Sequence, residues 1–121
     1  MKKLISLLLA MLMMFSLAAC GGNSGDSDGL KIGMICVHDT NSGYDVAHID
    51  GLKAACEALG IDVNSQVVFK YNIPEDETCY DTAVDLAEDG CSLIISDSYG
   101  HQSHMLRAAG EYPGLTFIAA K

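Results

Sequence analysis

The chain has 121 residues, half of them hydrophobic, and sets 7 Lys and Arg against 16 Asp and Glu for a formal charge of −9. So acidic a balance argues against nucleic acid as a partner, because that binding depends on Lys and Arg neutralising phosphates, and against a polybasic membrane patch. The length suffices for one small domain and not for two.

The hydrophobic excess is concentrated at the start. Lys2 and Lys3 form a basic segment, residues 4–15 are apolar except for Ser6, and Leu17-Ala18-Ala19-Cys20 closes the run. A short apolar stretch ending in small residues is the pattern of a secretory signal, and it falls short of the roughly 20 residues that span a bilayer. Leu-Ala-Ala-Cys resembles the bacterial lipobox, which implies cleavage before Cys20, a lipid on its thiol and acylation of its new α-amine. Residues 1–19 therefore read as a lipoprotein signal peptide and Cys20 as the lipidation site. Several acyl chains there give stable anchoring where one is marginal. Residues 20–29 are the anchor cysteine and a linker; beyond Cys20 they carry no apolar side chain and read as a flexible tether, reaching about 15–18 Å. The mature chain, with 5 basic and 16 acidic residues, has a net charge of −11. Its expected place is the extracytoplasmic face of a bacterial cell membrane.

From residue 30 to 121 the pattern alternates strand and helix. Residues 30–37 form a nearly continuous apolar run, as in a strand buried on both faces. Val46, Ile49, Leu52, Cys56 and Leu59 recur at three- and four-residue steps across 44–59, an amphipathic helix closed by Gly60. Residues 67–71 are a second strand, 72–76 a turn, and 78–89 a second helix closed by Gly90. Residues 92–96 form a third strand. A third helix over 101–112, with Met105, Leu106, Ala108 and Ala109, stops at Pro113-Gly114, and 115–119 begin a fourth strand. Strands separated by helices of this length imply right-handed crossovers, an α/β fold with a parallel sheet, the order 2-1-3-4 and helices on both faces.

In open parallel sheets a ligand sits beyond the carboxyl ends of the strands, at the switch point between strands one and three. The loops there are the most polar of the body. The first offers His38, Asp39, Thr40, Asn41, Ser42, Tyr44 and Asp45; the second offers Asp97, Ser98, Tyr99, Gly100 and His101. The start of a helix adds free backbone N–H groups that suit a hydroxyl or an anion. Two tyrosines at one cleft suit a planar ring, and carboxylates accept from sugar hydroxyls or ring N–H groups. Taken singly, Asn41, Ser42 and Ser98 are also plain helix caps.

The lipobox, the linker, Lys31-Ile32-Gly33-Met34-Ile35, Gly43-Tyr44-Asp45, Asn72-Ile73-Pro74-Glu75, Asp97-Ser98-Tyr99-Gly100 and Glu111-Tyr112-Pro113-Gly114-Leu115-Thr116-Phe117 occur in one order. Together they resemble the basic membrane lipoprotein family, the purine-nucleoside-receptor-like substrate-binding proteins of ABC transporters. The resemblance implies a type I periplasmic-binding-protein fold, two α/β lobes closing on a nucleoside-like ligand, with permease and ATPase subunits as partners, no cofactor and no catalysis. It places Tyr44 at the stacking aromatic, where Phe is frequent, and Asp45 at the polar residue after it, often Asn. Ser98, Tyr99 and Gly100 fall on the small-aromatic stretch after the third strand. Together with the loop positions, the expected ligand set is His38, Asp39, Asn41, Ser42, Tyr44, Asp45, Asp97, Ser98, Tyr99 and Gly100. Family members run to roughly 300 residues, so the 121 here read as the signal, the tether and a partial N-terminal lobe, in which half a cleft does not close on a ligand.

Four cysteines follow Cys20. Cys79 and Cys91 bracket the second helix, about 18 Å apart, and no disulfide spans that distance; Cys36, Cys56, Cys79 and Cys91 read as small buried thiols. The alternative function is a small flavodoxin-like α/β enzyme domain using Cys36, His38 and Asp39, since Cys36 and His38 share a side of the strand. No oxyanion motif or orienting partner accompanies them. His101 and His104 share one helical face, but zinc needs further ligands, for which His38 or Asp97 are candidates. No metal is expected, and these histidines read as facing solvent or ligand. The Gly-rich stretch precedes the first strand, the wrong side for a nucleotide fingerprint.

Overall fold

The computed structural model describes residues 29–120. The signal segment 1–19, the lipidation site Cys20 and the tether up to residue 28 lie outside the described residues. Four strands, β1 (Ile32–Ile35), β2 (Val67–Lys70), β3 (Leu93–Ser96) and β4 (Thr116–Ala119), form one all-parallel sheet in the order β2-β1-β3-β4. Between them run the helices α1 (Gly43–Leu59), α2 (Val63–Gln66), α3 (Glu77–Glu88) and α4 (Gln102–Glu111), with a 3-10 turn at Tyr99–His101 before α4. The α/β class and the strand order agree with the sequence reading.

The central strand explains its own composition. Ile32, Gly33, Met34 and Ile35 are all buried, because β1 is flanked by β2 and β3 and covered on both faces. Ile32 aligns with Val67 on one side and with Leu93 on the other. Alternate side chains go to opposite faces. Ile32, Met34 and Cys36 pack with Ile49 and Cys56 of α1, while Ile35 and Ile94 pack with Ala83 and Leu86 of α3 and Met105 and Ala108 of α4. Gly33 is needed where α3 comes closest: a Cβ there would stand 2.8 Å from Leu86 Cδ1.

Capping residues set the helix ends. Ser42 accepts the N–H of Asp45 at the start of α1, and Asp76 accepts that of Thr78 at the start of α3, each satisfying a free donor. Gly60 ends α1 in the left-handed region, φ 71°. The N–H of Ile61 then reaches back to the carbonyl of Cys56 at 2.8 Å, the six-to-one closure that favours glycine. α2 is absent from the sequence reading. Its four residues carry no periodicity, and it rests on a reciprocal cap in which Asp62 accepts from Asn64 while the Gln66 side chain accepts from Asp62 N–H.

Coverage of the sheet is uneven. On β4, Phe117 and Ala119 turn toward α3 and α4, whereas Thr116 and Ile118 face outward and are exposed. Between α4 and β4 lies a hollow of about 180 Å³ lined by Gln102, Met105, Leu106, Ala109, Phe117 and Ala119.

Candidate functional site at the ends of the strands

The chain leaves β1 still paired to the β2 side. Cys36 N–H donates to Lys70 O, Ile73 N–H to Cys36 O and Asn72 N–H to His38 O. The first loop is therefore built on the second, and Asn72, at φ 56°, makes the left-handed turn between them, a conformation Asn tolerates better than most residues. Within the first loop Asp39 accepts from Asn41 N–H at 2.8 Å, and Ser42 N–H donates to Asp39 O. His38, Asp39, Asn41, Ser42 and Asn72 line an open concavity of about 420 Å³.

The remaining residues expected at the site divide into two groups. Tyr44 and Tyr99 are exposed, at 53% and 70%. Tyr44 tilts against His48 with ring centroids 4.8 Å apart, and its hydroxyl donates to the Asp97 carbonyl at 2.7 Å. That bond ties the entry of α1 to the end of β3. Asp45, Asp97 and Ser98 lie beneath the surface. Tyr44, Asp45, Asp97, Ser98, Tyr99 and Gly100 do not contribute to the lining of the concavity.

The buried pair of carboxylates carries the strongest electrostatics. Asp45 accepts from the His38 N–H at 2.9 Å and pairs with the His38 ring at 3.1 Å. Burial opposes its charge, but hydrogen bonds from Ser42, Asp97 and His38 outweigh burial and hold its carboxyl well below the usual range. Asp97 goes the other way: burial, then the adjoining Asp45, push it up to about 6, against the Val37 N–H that donates to it at 3.1 Å. Burial and the nearby Asp97 push the Cys36 thiol up to about 12. A thiol so disfavoured as thiolate is a poor nucleophile, and the His38 ring is engaged by Asp45. The Cys36, His38 and Asp39 grouping of the enzyme reading thus lacks an activated nucleophile.

A second interlock joins the β2 and β3 loops. Ser98 Oγ donates to Glu75, whose carboxylate occupies the space a Cβ on Gly100 would need. His101 is fully buried, its Nδ1 2.7 Å from Ser96 Oγ and its Nε2 2.8 Å from Ile73 O. Because a carbonyl only accepts, Nε2 carries the proton and Nδ1 accepts from Ser96. This corrects the reading of His101 as facing solvent or ligand: the 3-10 turn rotates it inward to fasten Ile73. Asn72 and Glu75 were not singled out as site residues. Only the positive φ at Asn72 leaves a sequence trace, as an Asn in a turn; the seat of Glu75 comes from a contact 23 residues away.

No family model matches the chain, and no curated protein matches it. Among solved structures it is similar to an ABC transporter system solute-binding protein from Conexibacter woesei, with a TM-score of 0.60 and 24% identity over 73% of this chain. The chain spans 28% of that protein's length. The likeness shows the fold: a parallel lobe in the order 2-1-3-4 of the kind found in a solute-binding protein.

Proposed function

We propose that the chain is the front part of the N-terminal lobe of a lipid-anchored, extracytoplasmic solute-binding protein that serves an ABC importer, with a purine nucleoside or a related small polar solute as ligand. The observation that carries the reading is the polar concavity of His38, Asp39, Asn41, Ser42 and Asn72 at the carboxyl ends of β1 and β2, beside the switch point. Open parallel sheets hold ligands beyond the carboxyl ends of their strands, and this concavity lies there on the β2 side of the switch point. The solute-binding protein of similar fold supports it, as do the exposed faces of Tyr44 and Tyr99 at the neighbouring loops. In this reading the tyrosines stack on the base, the loop residues hold the ribose, the rest of the cleft comes from a second lobe, and permease and ATPase subunits receive the solute.

Two measurements test it. Adenosine, guanosine and inosine, each at millimolar concentration, are titrated into the isotopically labelled chain and the backbone amides followed by NMR. Shifts at Asn41, Ser42 and Asn72 that a free amino acid does not produce are expected, with a dissociation constant weaker than micromolar because half a cleft is present. Unmoved loops, or shifts confined to the hollow beside β4, refute the ligand. For the anchor, mass spectrometry of the membrane fraction should find lipid on Cys20. A Cys20→Ser protein that remains lipid-modified and membrane-bound refutes it.

A further inference from the structure

Under the concavity, three donor-bearing side chains meet in a place closed to solvent. Cys36 ends β1, Asp45 sits in the first turn of α1 and Asp97 follows β3; none of the three is exposed. Cys36 Sγ and one carboxylate oxygen from each aspartate all lie within 4.8 Å of one another. Both carboxylates are anchored from outside the cluster. The His38 N–H and ring hold Asp45, and the Val37 N–H holds Asp97 through Oδ1. Asp97 Oδ2 is buried and has no hydrogen-bond partner outside the cluster; only the Asp45 carboxyl and the Cys36 thiol adjoin the Asp97 carboxyl there. An acceptor left so is costly, more so when charged, and two buried carboxylates side by side call for a positive charge between them. Among the described residues, Lys31 is engaged by Asp89, Lys53 lies over Phe69, Arg107 pairs with Glu77 and Lys70 is exposed at the end of β2. The His38 ring serves Asp45 and leaves Asp97 uncompensated.

We propose that Cys36, Asp45 and Asp97 form a binding site for a divalent cation of the zinc class. One thiolate sulfur and two carboxylate oxygens are donors that zinc accepts at about 2.3 and 2.0–2.2 Å. Donor atoms around a tetrahedral ion then stand roughly 3.3–3.7 Å apart, so side-chain adjustments of about 1 Å close the cluster. The sulfur selects against magnesium and calcium, which take oxygen ligands. On binding, the Cys36 S–H bond breaks, its proton passes to solvent and a metal–sulfur bond forms. The His38 and Val37 contacts orient the carboxylates from behind, as outer partners do in metal sites. Three protein donors leave a fourth position for water or a solute oxygen.

The site stands apart from the nucleoside reading, and its test has its own readouts. The full chain, stripped of metal by a chelator, is titrated with Zn²⁺ and with Co²⁺. One ion per chain, a higher Tm with Zn²⁺ and a thiolate-to-cobalt charge-transfer band are expected. Cys36→Ser should abolish the band, while Cys20→Ser and Cys56→Ser keep it. Asp97→Asn should weaken Zn²⁺ binding at least tenfold yet melt no lower than the wild type when both are metal-free, which keeps the test decisive if Cys36→Ser fails to fold. A band that survives both Cys36→Ser and Asp97→Asn overturns the site. So does failure of the wild type to retain an ion, and a higher Tm for Asp97→Asn then assigns the pocket to a proton shared by the two carboxylates.

Discussion

Asp97 makes the stability of the metal-free protein depend on pH in an uncommon direction. Its folded value of about 6 lies above the ordinary 3.8, so between these values the folded state holds a proton that the unfolded chain has released. The contribution of this group to stability is therefore complete below about pH 4, declines as pH rises to about 6 and stays low above it. Asp45, depressed by its hydrogen bonds, acts oppositely: its contribution is present above its unfolded value and is lost only in stronger acid. Urea denaturation at pH 4.5 and 7.5 should show the wild type losing about 2 kcal/mol relative to Asp97→Asn at the higher pH. A difference that does not change with pH refutes this. At Gly100 the prediction concerns sterics. A Cβ would displace the Glu75 carboxylate and break its bond to Ser98. Because Glu75 is exposed and its end is flexible, Gly100→Ala should cost only about 0.5–1.5 kcal/mol. In a double-mutant cycle Glu75→Ala should absorb most of that cost; full additivity counts against the interlock. Which polar residues cluster at the strand ends was legible from the sequence, but their depth was not. Asp45 and Asn41 look alike in a loop, and only the meeting of β1, α1 and β3 buries one and exposes the other.

Among elements, the strands and long helices were legible because burial on both faces leaves an unbroken apolar run and burial on one leaves a stripe. The strand expected over 30–37 is four residues long, Ile32–Ile35, although single backbone bonds continue past both ends, from Ser92 N–H to Lys31 O and from Cys36 N–H to Lys70 O. Leu59 continues the apolar spacing of α1 yet is exposed, as the last residue before the Gly60 cap. α2 leaves no trace in the sequence because four residues of helix have a cap and no period. Two substitutions test the packing that remains. Gly33→Ala should destabilise by about 1–3 kcal/mol, as overpacking does, because the methyl would stand 2.8–3.1 Å from three atoms of the buried Leu86 side chain. Gly60→Ala should cost about 1 kcal/mol for the left-handed cap, with nothing within 4 Å of the new methyl to add to it. Chemical denaturation of both variants separates the causes: Leu86→Ala should relieve the first and leave the second unchanged.

For the molecule as a whole, the asymmetry of coverage dominates. β2 and β4 are the sheet's edges, and β4 also turns Ile118 outward with 49% of its surface exposed, on the face away from α3 and α4. Open edges with apolar side chains favour association. Ile118→Lys should leave stability within about 0.5 kcal/mol and raise the concentration at which light scattering appears on heating; unchanged scattering would free β4 of that role. The four cysteines Cys36, Cys56, Cys79 and Cys91 are unpaired and buried, and burial raises every one of their thiols above its ordinary value. Each is silent to an alkylating reagent until its own part of the chain opens. Cys56 sits in the thin seam where α1 meets the sheet, Cys79 and Cys91 in the thicker one under α3 and α4, and Cys36 at the end of the central strand. The protein thus contains four built-in clocks of local opening, and the Cys56 clock should run ahead of those at Cys79 and Cys91.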